Sequence, residues 1–389
     1  MSEAYIVEAV RTAGGKRKGR LAGWHPTDLA ALVLDALVER SGIDPAAIED
    51  VIMGCVLQVG EQGIQIGRNA VLASHLPKSV PAVTIDRQCG SSLQSIQFAA
   101  QALMSGTQDI VLAAGVESMT RVPMGATGAW TTDYQPGSPT SRRIAENYPG
   151  IAFSQFLGAE MMAEKYGYSR EALDRFALES HRRAAHATRS GAFDAEIVPV
   201  PVDGPDGLSL HTQDEGIRYD ATLETIGAVK LLREGGRISA ANASQICDGA
   251  SAVLMVSEHA LKAHGLTPLA RVHSLTITAG DPVIMLEEPL RATDIALRRA
   301  GLGINDIDLF EVNEAFASVP LAWLKHTGAD PERINVNGGA IALGHPLGAS
   351  GTKLTATLIH ALRARGLRYG LVTMCEGGGT ANVMIIEAL

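Results

Sequence analysis

GIDPAAIEDVIMGC, residues 42–55, lines up without a gap on GLGINDIDLFEVNE, residues 301–314, at an offset of 259. Gly42 falls on Gly301 and Ile48 on Ile307, and an apolar strand-like run closes each stretch. Farther along, the helix-patterned segment after Cys89 and the strand-like DIVLAAGVES from Asp109 superpose, at an offset of 260, on the segment after Gly351 and on YGLVTMCEGG from Tyr369. Two independent matches at nearly one offset indicate an internal duplication. Helical and strand-like segments alternate within each half, which predicts two α/β units with mainly parallel sheets and ligands at the carboxyl ends of the strands.

Residues 119–248 break the pattern between the halves. They hold a Pro/Gly/Ser/Thr-rich stretch from Pro123 to Gly150, an amphipathic helix candidate from Ser169 to Ser190 and a polar turn at Gly204-Pro205-Asp206-Gly207. An insertion of this length over one face of a compact core reads as a lid or binding subdomain. The expected division is a first half over 1–118, an inserted domain over 119–248 whose end returns to that half, and a second half over 249–389.

The chemistry concentrates in glycine-rich sequence: Cys89 in DRQCGSS, His345 in GGAIALGHPLGASG and Cys375 in MCEGGGTA. Val83, Thr84 and Ile85 lead into Cys89, and Leu371 to Met374 lead into Cys375, the pattern of a core strand ending in a tight turn. Leu93, Ile96, Ala100 and Leu103 recur at helical spacing, so Cys89 is expected at a helix N-terminus, where thiol pKa values are commonly lowered to roughly 3.5–7.5. A thiolate there is a nucleophile. The bland reading, a small buried hydrophobe, suits Cys55 and Cys247, which lack this setting. His345, between Gly344 and Pro346, is set close to backbone. The glycine spacing does not give the GxGxxG of a dinucleotide site.

With 389 residues, 46% of them hydrophobic and only 19% charged, the chain can bury a large core. A net charge of −9 argues against nucleic acid or an anionic membrane as main partner, and Lys16-Arg17-Lys18-Gly19-Arg20 reads as a solvated or interface loop. No apolar run approaches membrane-spanning length, and MSEAYIVEAV lacks a signal-peptide pattern. Four cysteines without paired spacing fit a reducing compartment, not a disulfide framework or a zinc site. The expected location is the cytoplasm.

DRQCGSS, NEAFA from Asn313, NVNGGAIALGHPLGASG from Asn335 and CEGGG from Cys375, in this order, resemble the thiolases, of the acetyl-CoA acetyltransferase or 3-ketoacyl-CoA thiolase type. The resemblance runs from VEAVRT at 7–12 to MIIEAL at 384–389. It implies the thiolase fold, an α/β architecture of two duplicated βαβαβαββ halves in five α-β-α-β-α layers with an inserted loop domain. It also implies roles. Cys89 would attack the keto carbon of a 3-ketoacyl-CoA and hold the acyl group as a thioester. His345 would take the Cys89 proton and help stabilise an oxyanion, with Asn313 acting there through a bound water. Cys375 would protonate the departing acetyl-CoA carbanion and deprotonate incoming CoA. The N–H groups of Cys89 and Gly377 would form a second oxyanion hole. Glu314 stays outside the reacting set as a structural residue. For CoA, GIRYDAT and NASQICDGAS place Arg218 at the nucleotide end and Ser244 by the pantetheine, with Tyr219 and Asp220 nearby. CoA is a substrate, and no metal or cofactor is called for. The family implies a homodimer or homotetramer.

One departure bears on substrate. Short-chain biosynthetic thiolases carry a His-Met pair lining the small acyl pocket, where this chain has Ser154-Gln155. SQFLGAEMMAEKYGYSRE and ANASQICDGAS instead resemble degradative thiolases of actinobacterial lipid and steroid catabolism. The expected function is degradative 3-ketoacyl-CoA cleavage. The alternatives are a short-chain acetyl-CoA acetyltransferase and, from another class, a thiolase-like protein that binds acyl-CoA without turnover. A ketoacyl synthase would use a second His or Asn in place of Cys375, and a cysteine hydrolase would not call for a second thiol.

Overall fold

The computed structural model describes residues 3–128, 137–204 and 207–389. The chain begins with β1 (Ala4–Thr12), β2 (Gly15–Lys16), α1 (Pro26–Ser41), β3 (Asp50–Gly54), α2 (Ile66–Ala73), β4 (Ala82–Ile85), α3 (Ser91–Ser105) and β5 (Ile110–Ser118). The insertion supplies α4 (Arg142–Asn147), α5 (Gln155–Lys165), α6 (Arg170–Arg189), β6 (Ile197–Val198), a hairpin of β7 (Val200–Gly204) and β8 (Gly207–His211), and α7 (Leu223–Gly227). Next come β9 (Cys247–Ser257) and α8 (Glu258–Ala263). The second half follows as β10 (Ala270–Ala279), α9 (Glu288–Ala300), β11 (Leu309–Val312), α10 (Ser318–Thr327), α11 (Ala340–Leu343), α12 (Ser350–Arg365), β12 (Tyr369–Glu376) and β13 (Thr380–Ala388).

Strand order repeats between the halves. The first runs β4-β3-β5-β9-β1 and the second β11-β12-β13-β10, so β3, β5, β9 and β1 match β11, β12, β13 and β10. In each, parallel pairing gives way to antiparallel pairing after the second matched strand. The counterpart of β4 shrinks to one parallel bridge between Phe310 and Ile334, where Val51 pairs Ala82 in the first half. The half-sheets join where β1 pairs β10 over Tyr5–Arg271 and Ile6–Ala270.

Strand alternation sorts the core into layers. On β5, Leu112, Ala114 and Val116 pack outward with Leu29, Val33 and Leu37 of α1. Val111 and Ala113 face the other way, into a cluster that holds Leu93, Ile96 and Leu103 of α3, Leu354 and Leu358 of α12, and Val372 and Met374 of the second half. Phe310, Leu371 and Val383 face a third cluster with Leu290 of α9 and Trp323 of α10. The result is α1/sheet/α3 and α12/sheet/α9 and α10, the five layers expected. The middle helices touch at Ser92 and Thr352, whose hydroxyl and N–H lie 3.0 Å apart.

Two expectations shift. Register fixes Val51 opposite Leu112 and Phe310 opposite Leu371, so β5 matches β12 at an offset of 259 rather than 260. A one-residue slip would turn Val372 from the middle layer to the outer face. The strand β9 pairs with both β5 and β1, so the first half extends through Ser257 and the boundary placed at 249 moves beyond it. The amphipathic candidate forms α6, capped by Ser169 Oγ on the Ala172 N–H. Residues 129–136 of the Pro/Gly/Ser/Thr-rich stretch and 205–206 of the polar turn lie outside the described residues, though Gly204 pairs with Gly207 across that turn.

Candidate active site

Cys89 follows β4 in a turn built by its neighbours. The Gln88 N–H binds Asp86 Oδ1 at 2.7 Å, Gln88 takes a left-handed φ of 50°, and the Ser91 N–H returns to the Gln88 carbonyl at 3.0 Å. Gly90 then opens α3. A Cβ there would stand 2.0 Å from Glu376 Oε1, so glycine is required for the turn to lie against the end of β12. One residue along, a Cβ on Gly377 would meet Gln88 Oε1 at 2.8 Å. The Cys89 turn and the Cys375–Gly377 segment are thus in contact, and the charge of one thiol bears on the other. Among the described residues, neither the Cys89 nor the Gly377 N–H donates to a protein acceptor.

The thiolate expected from the helix N-terminus is not the resting form. Burial, with the Glu376 carboxyl beside it, pushes the Cys89 thiol up to about 12, outweighing the α3 dipole. Burial lifts Glu376 itself to about 7. The Cys375 thiol, near the end of β12 and 1% exposed, is raised well above the ordinary thiol range by burial and then by Cys89.

His345 sits in the loop between α11 and α12, its N–H on the Gln245 carbonyl at 3.0 Å. Its Nδ1 lies 2.5 Å from Ser350 Oγ, and that hydroxyl donates to the Pro346 carbonyl at 2.8 Å. Ser350 therefore accepts from Nδ1–H, which assigns the proton to Nδ1 and leaves the Nε2 lone pair toward the site. Asn313, placed by its N–H on the Thr373 carbonyl at 3.0 Å, brings its amide nitrogen to 3.4 Å from Nε2. Burial and then the positive charge of Lys353 push the imidazole down to about 3, so the ring is neutral. Glu314 is a buried brace, accepting from Ser180 Oγ, Asn335 Nδ2 and the Ile341 N–H.

A cavity of about 380 Å³ lies under the insertion, lined by His181, Arg218, Asp220, Thr225, Gln245 and Ile341 among others. Gln245 ties it to the reacting groups, since its Nε2 holds the Ile341 carbonyl at 2.7 Å while its own carbonyl holds His345. Arg218 and Asp220 are exposed at its wall, and the Arg218 N–H rests on His181 Nδ1 at 3.1 Å. Tyr219 is turned elsewhere: its ring lies under Arg189, 5.3 Å away, and lines a separate cavity with Arg20 and His211. Ser244 is half-buried beside Gln245, its N–H on the Ala315 carbonyl at 2.9 Å. Ser350, Gln245 and His181 were not singled out in the sequence. The first two lie inside quoted motifs. The third was visible as a polar residue on the apolar stripe of α6 with Ala177 and Ala184.

A second cavity, of about 400 Å³, is lined by Ser154, Phe156, Leu157, Glu160, Leu232, Arg233 and Ile238. It adjoins the NEAFA segment, because the Phe156 and Phe316 rings meet edge-on with centroids 5.7 Å apart.

Two half-sheets around a shared helix pair, with the Cys89 turn of one against the Cys375–Gly377 segment of the other, define the class of fold. The chain belongs to the thiolase family: the thiolase N-terminal domain matches residues 4–259 and the thiolase C-terminal domain residues 266–388. The steroid 3-ketoacyl-CoA thiolase FadA6 of Mycobacterium tuberculosis is 53% identical, over 100% of this chain and 95% of that protein. A 3-ketoacyl-CoA thiolase of Bacillus subtilis is 42% identical over all of both chains. Among solved structures, human mitochondrial 3-ketoacyl-CoA thiolase superposes with a TM-score of 0.90 at 36% identity, covering 100% of this chain and 99% of that one.

Proposed function

We propose that this protein is a degradative 3-ketoacyl-CoA thiolase that cleaves its substrate with CoA, through an acyl-Cys89 intermediate, into acetyl-CoA and a shortened acyl-CoA. The observation that carries the reading is the contact of the Cys89 turn with Cys375–Gly377, together with a neutral His345 whose Nε2 lone pair is directed at the Asn313 amide. As Cys89 Sγ bonds to the keto carbon, its proton passes to Nε2. The resulting Nε2–H, with Asn313 acting through a water, faces one developing oxyanion. When the Cα–Cβ bond of the 3-ketoacyl-CoA breaks, its electron pair becomes the acetyl-CoA carbanion, which takes the Cys375 proton. The Cys375 thiolate then deprotonates CoA, whose sulfur attacks the Cys89 thioester, and the Cys89 thiolate released takes its proton back from His345 Nε2. The N–H groups of Cys89 and Gly377 face the thioester oxygen; such a donor is typically worth about 10²–10³ in rate. The enzyme's own thiol carries the acyl group, so CoA enters as substrate.

Arg218 and Asp220 along the 380 Å³ cavity and Ser244 beside its Gln245 are assigned to CoA, and Tyr219, which lines a different cavity, is set apart from that group. The insertion over residues 119–248 is read as the CoA-binding domain. The apolar cavity at Phe156, Leu157, Leu232 and Ile238 supports an acyl group larger than acetyl, since Ser154 rather than a bulky residue stands at its rim. Among the described residues no helix is long and apolar enough to cross a membrane; the reading places the enzyme in the cytoplasm as a homodimer or homotetramer, which sedimentation would test. A panel of 3-ketoacyl-CoA esters, from acetoacetyl to ring-bearing acyl groups, tests the substrate class with Cys89→Ala as control. Higher kcat/KM on larger esters, abolished in the control, is expected. Preference for acetoacetyl-CoA would return the short-chain acetyltransferase reading.

A further inference from the structure

We propose that Lys353 is a positioning residue for His345: its buried ammonium clamps the backbone that carries the imidazole. The inference rests on the reading of His345 as the base.

Lys353 is 5% exposed, in the first turns of α12. Its Nζ donates to the carbonyls of Leu343 at 2.6 Å and Gly344 at 3.1 Å. The second of these is the carbonyl of the peptide bond to His345 itself. Buried carboxylates are near, but Asp214 and Glu196 are both taken by Arg11, at 2.8 and 2.5 Å. A buried cation whose hydrogen bonds go to backbone carbonyls in place of a carboxylate is costly to maintain, and an apolar residue of similar volume would fill the space without that cost. What the ammonium adds is a charge-assisted hold on two consecutive peptide groups.

Gly344 shows why the hold matters. Its φ of 78° is open to glycine at little cost, and a Cβ there would strike Cys247 Sγ at 2.7 Å. The residue before His345 is therefore a glycine held at a left-handed φ, and Lys353 grips its carbonyl. Ser350, one turn earlier on the same face of α12, grips the ring at Nδ1. Lys353 and Ser350 also border one small internal cavity with Glu311 of β11 and Asn313 just past its end. The helix thus fixes the imidazole twice, through backbone and through ring, and aims Nε2 at Asn313.

Burial lowers Lys353 first, and the groups that bear on it are Asp214, Glu196, Arg11 of β1 and the neutral Cys247 thiol of β9. On β11, Glu311 feels Lys353 in turn and is pushed far above the carboxylate range by burial, so it stays protonated. Arg11 and Lys353 then balance Asp214 and Glu196. The charge that His345 feels is that of Lys353, which disfavours imidazolium.

Lys353→Gln and Lys353→Arg in the full chain separate hydrogen bonding from charge. The Gln variant is expected to lose about tenfold in kcat with KM for CoA little changed. Its acid limb of kcat/KM and the His345 ring midpoint, read by 15N NMR, should move to higher pH. Arg should restore most of both. A Gln variant with wild-type kcat and acid limb would overturn the proposal, as would a kcat loss with an unmoved ring midpoint. Should the Gln variant not fold, Lys353→Arg decides: kcat and ring midpoint near those of the wild type support the proposal, and a tenfold kcat loss with an unmoved midpoint defeats it. The ring titration needs no turnover. Thiolysis that survives His345→Asn would instead count against His345 as the base.

Discussion

Gly351→Ala should damage catalysis far more than folding. Gly351 lies in the first turn of α12, where that helix crosses α3, and a Cβ there would sit 2.0 Å from Leu93 N and 2.6 Å from Leu93 Cα. Ordinary contact begins at 3.4 Å, so the helices must part by about 1 Å, and the obstacle is backbone that no rotamer change can clear. Overpacking of this kind costs about 1–3 kcal/mol, which for a chain of this length lowers Tm by only a few °C. The same movement separates the loop before α3, which carries Cys89, from the loop before α12, which carries His345. A misplacement of about 1 Å costs on the order of 10²-fold in rate, or about 2.7 kcal/mol of barrier. Steady-state thiolysis and a thermal melt on one preparation measure both. A variant that melts a few °C early yet keeps kcat within about twofold would show that the helix crossing is packing alone and does not set the Cys89–His345 geometry.

Two further outcomes follow from the site. Because the Cys89 thiol is held up at about 12 and the neutral His345 does not stabilise a thiolate, its alkylation by iodoacetamide in the free enzyme should climb with pH through pH 10 without a plateau, and Glu376→Gln should speed it at pH 8; a plateau near pH 7 would contradict the neutral pair. Arg218→Ala should raise KM for CoA about tenfold and leave kcat within twofold, since the side chain lines the cavity away from the reacting groups; a kcat loss of similar size would place Arg218 nearer the chemistry than its position allows.

The duplication was legible because strand patterns survive divergence: Ile48 and Ile307 fill equivalent buried positions, both nearly or fully inaccessible. The offset of the later strand was one residue out because an apolar run buried on both faces carries no alternation to fix its register. The motifs pointed to Cys89, Asn313, His345 and Cys375, while the surroundings of Cys89 push its thiol up where the helix N-terminus alone would lower it. A helix N-terminus can be read from sequence, but the burial of the thiol and the approach of Glu376 come from chain 287 residues away. Tyr219 was grouped with Arg218 for the same reason. Residues 218–221 form a turn closed by the Ala221 N–H on the Arg218 carbonyl at 3.3 Å, and only the packing of Arg189 shows where the Tyr219 ring goes.

The duplicated halves also explain why one reaction centre forms rather than two. At the offset of 259, Glu117 of β5 corresponds to Glu376 of β12, and each reaches across to a glycine in the other half's helix-preceding loop. Glu117 takes the Gly348 N–H at 2.8 Å, and the N–H groups of Val56 and Leu57 and the Gln62 amide complete its shell. Glu376 lies against Gly90, yet only its Oε2 has a partner, Thr380 at 2.7 Å, and Oε1 is buried without one. One carboxylate is a finished clamp and the other is incomplete beside a thiol. The same comparison sets Gly54 against Asn313 and Val116 against Cys375. A side chain on Gly54 would strike the Gly348 carbonyl at 2.7 Å, so in the first half the space is filled by the loop that carries His345. That loop could not occupy both equivalent positions. By closing one it leaves the other open, and there Asn313 meets His345 while the second thiol and the Glu376 carboxyl bear on Cys89.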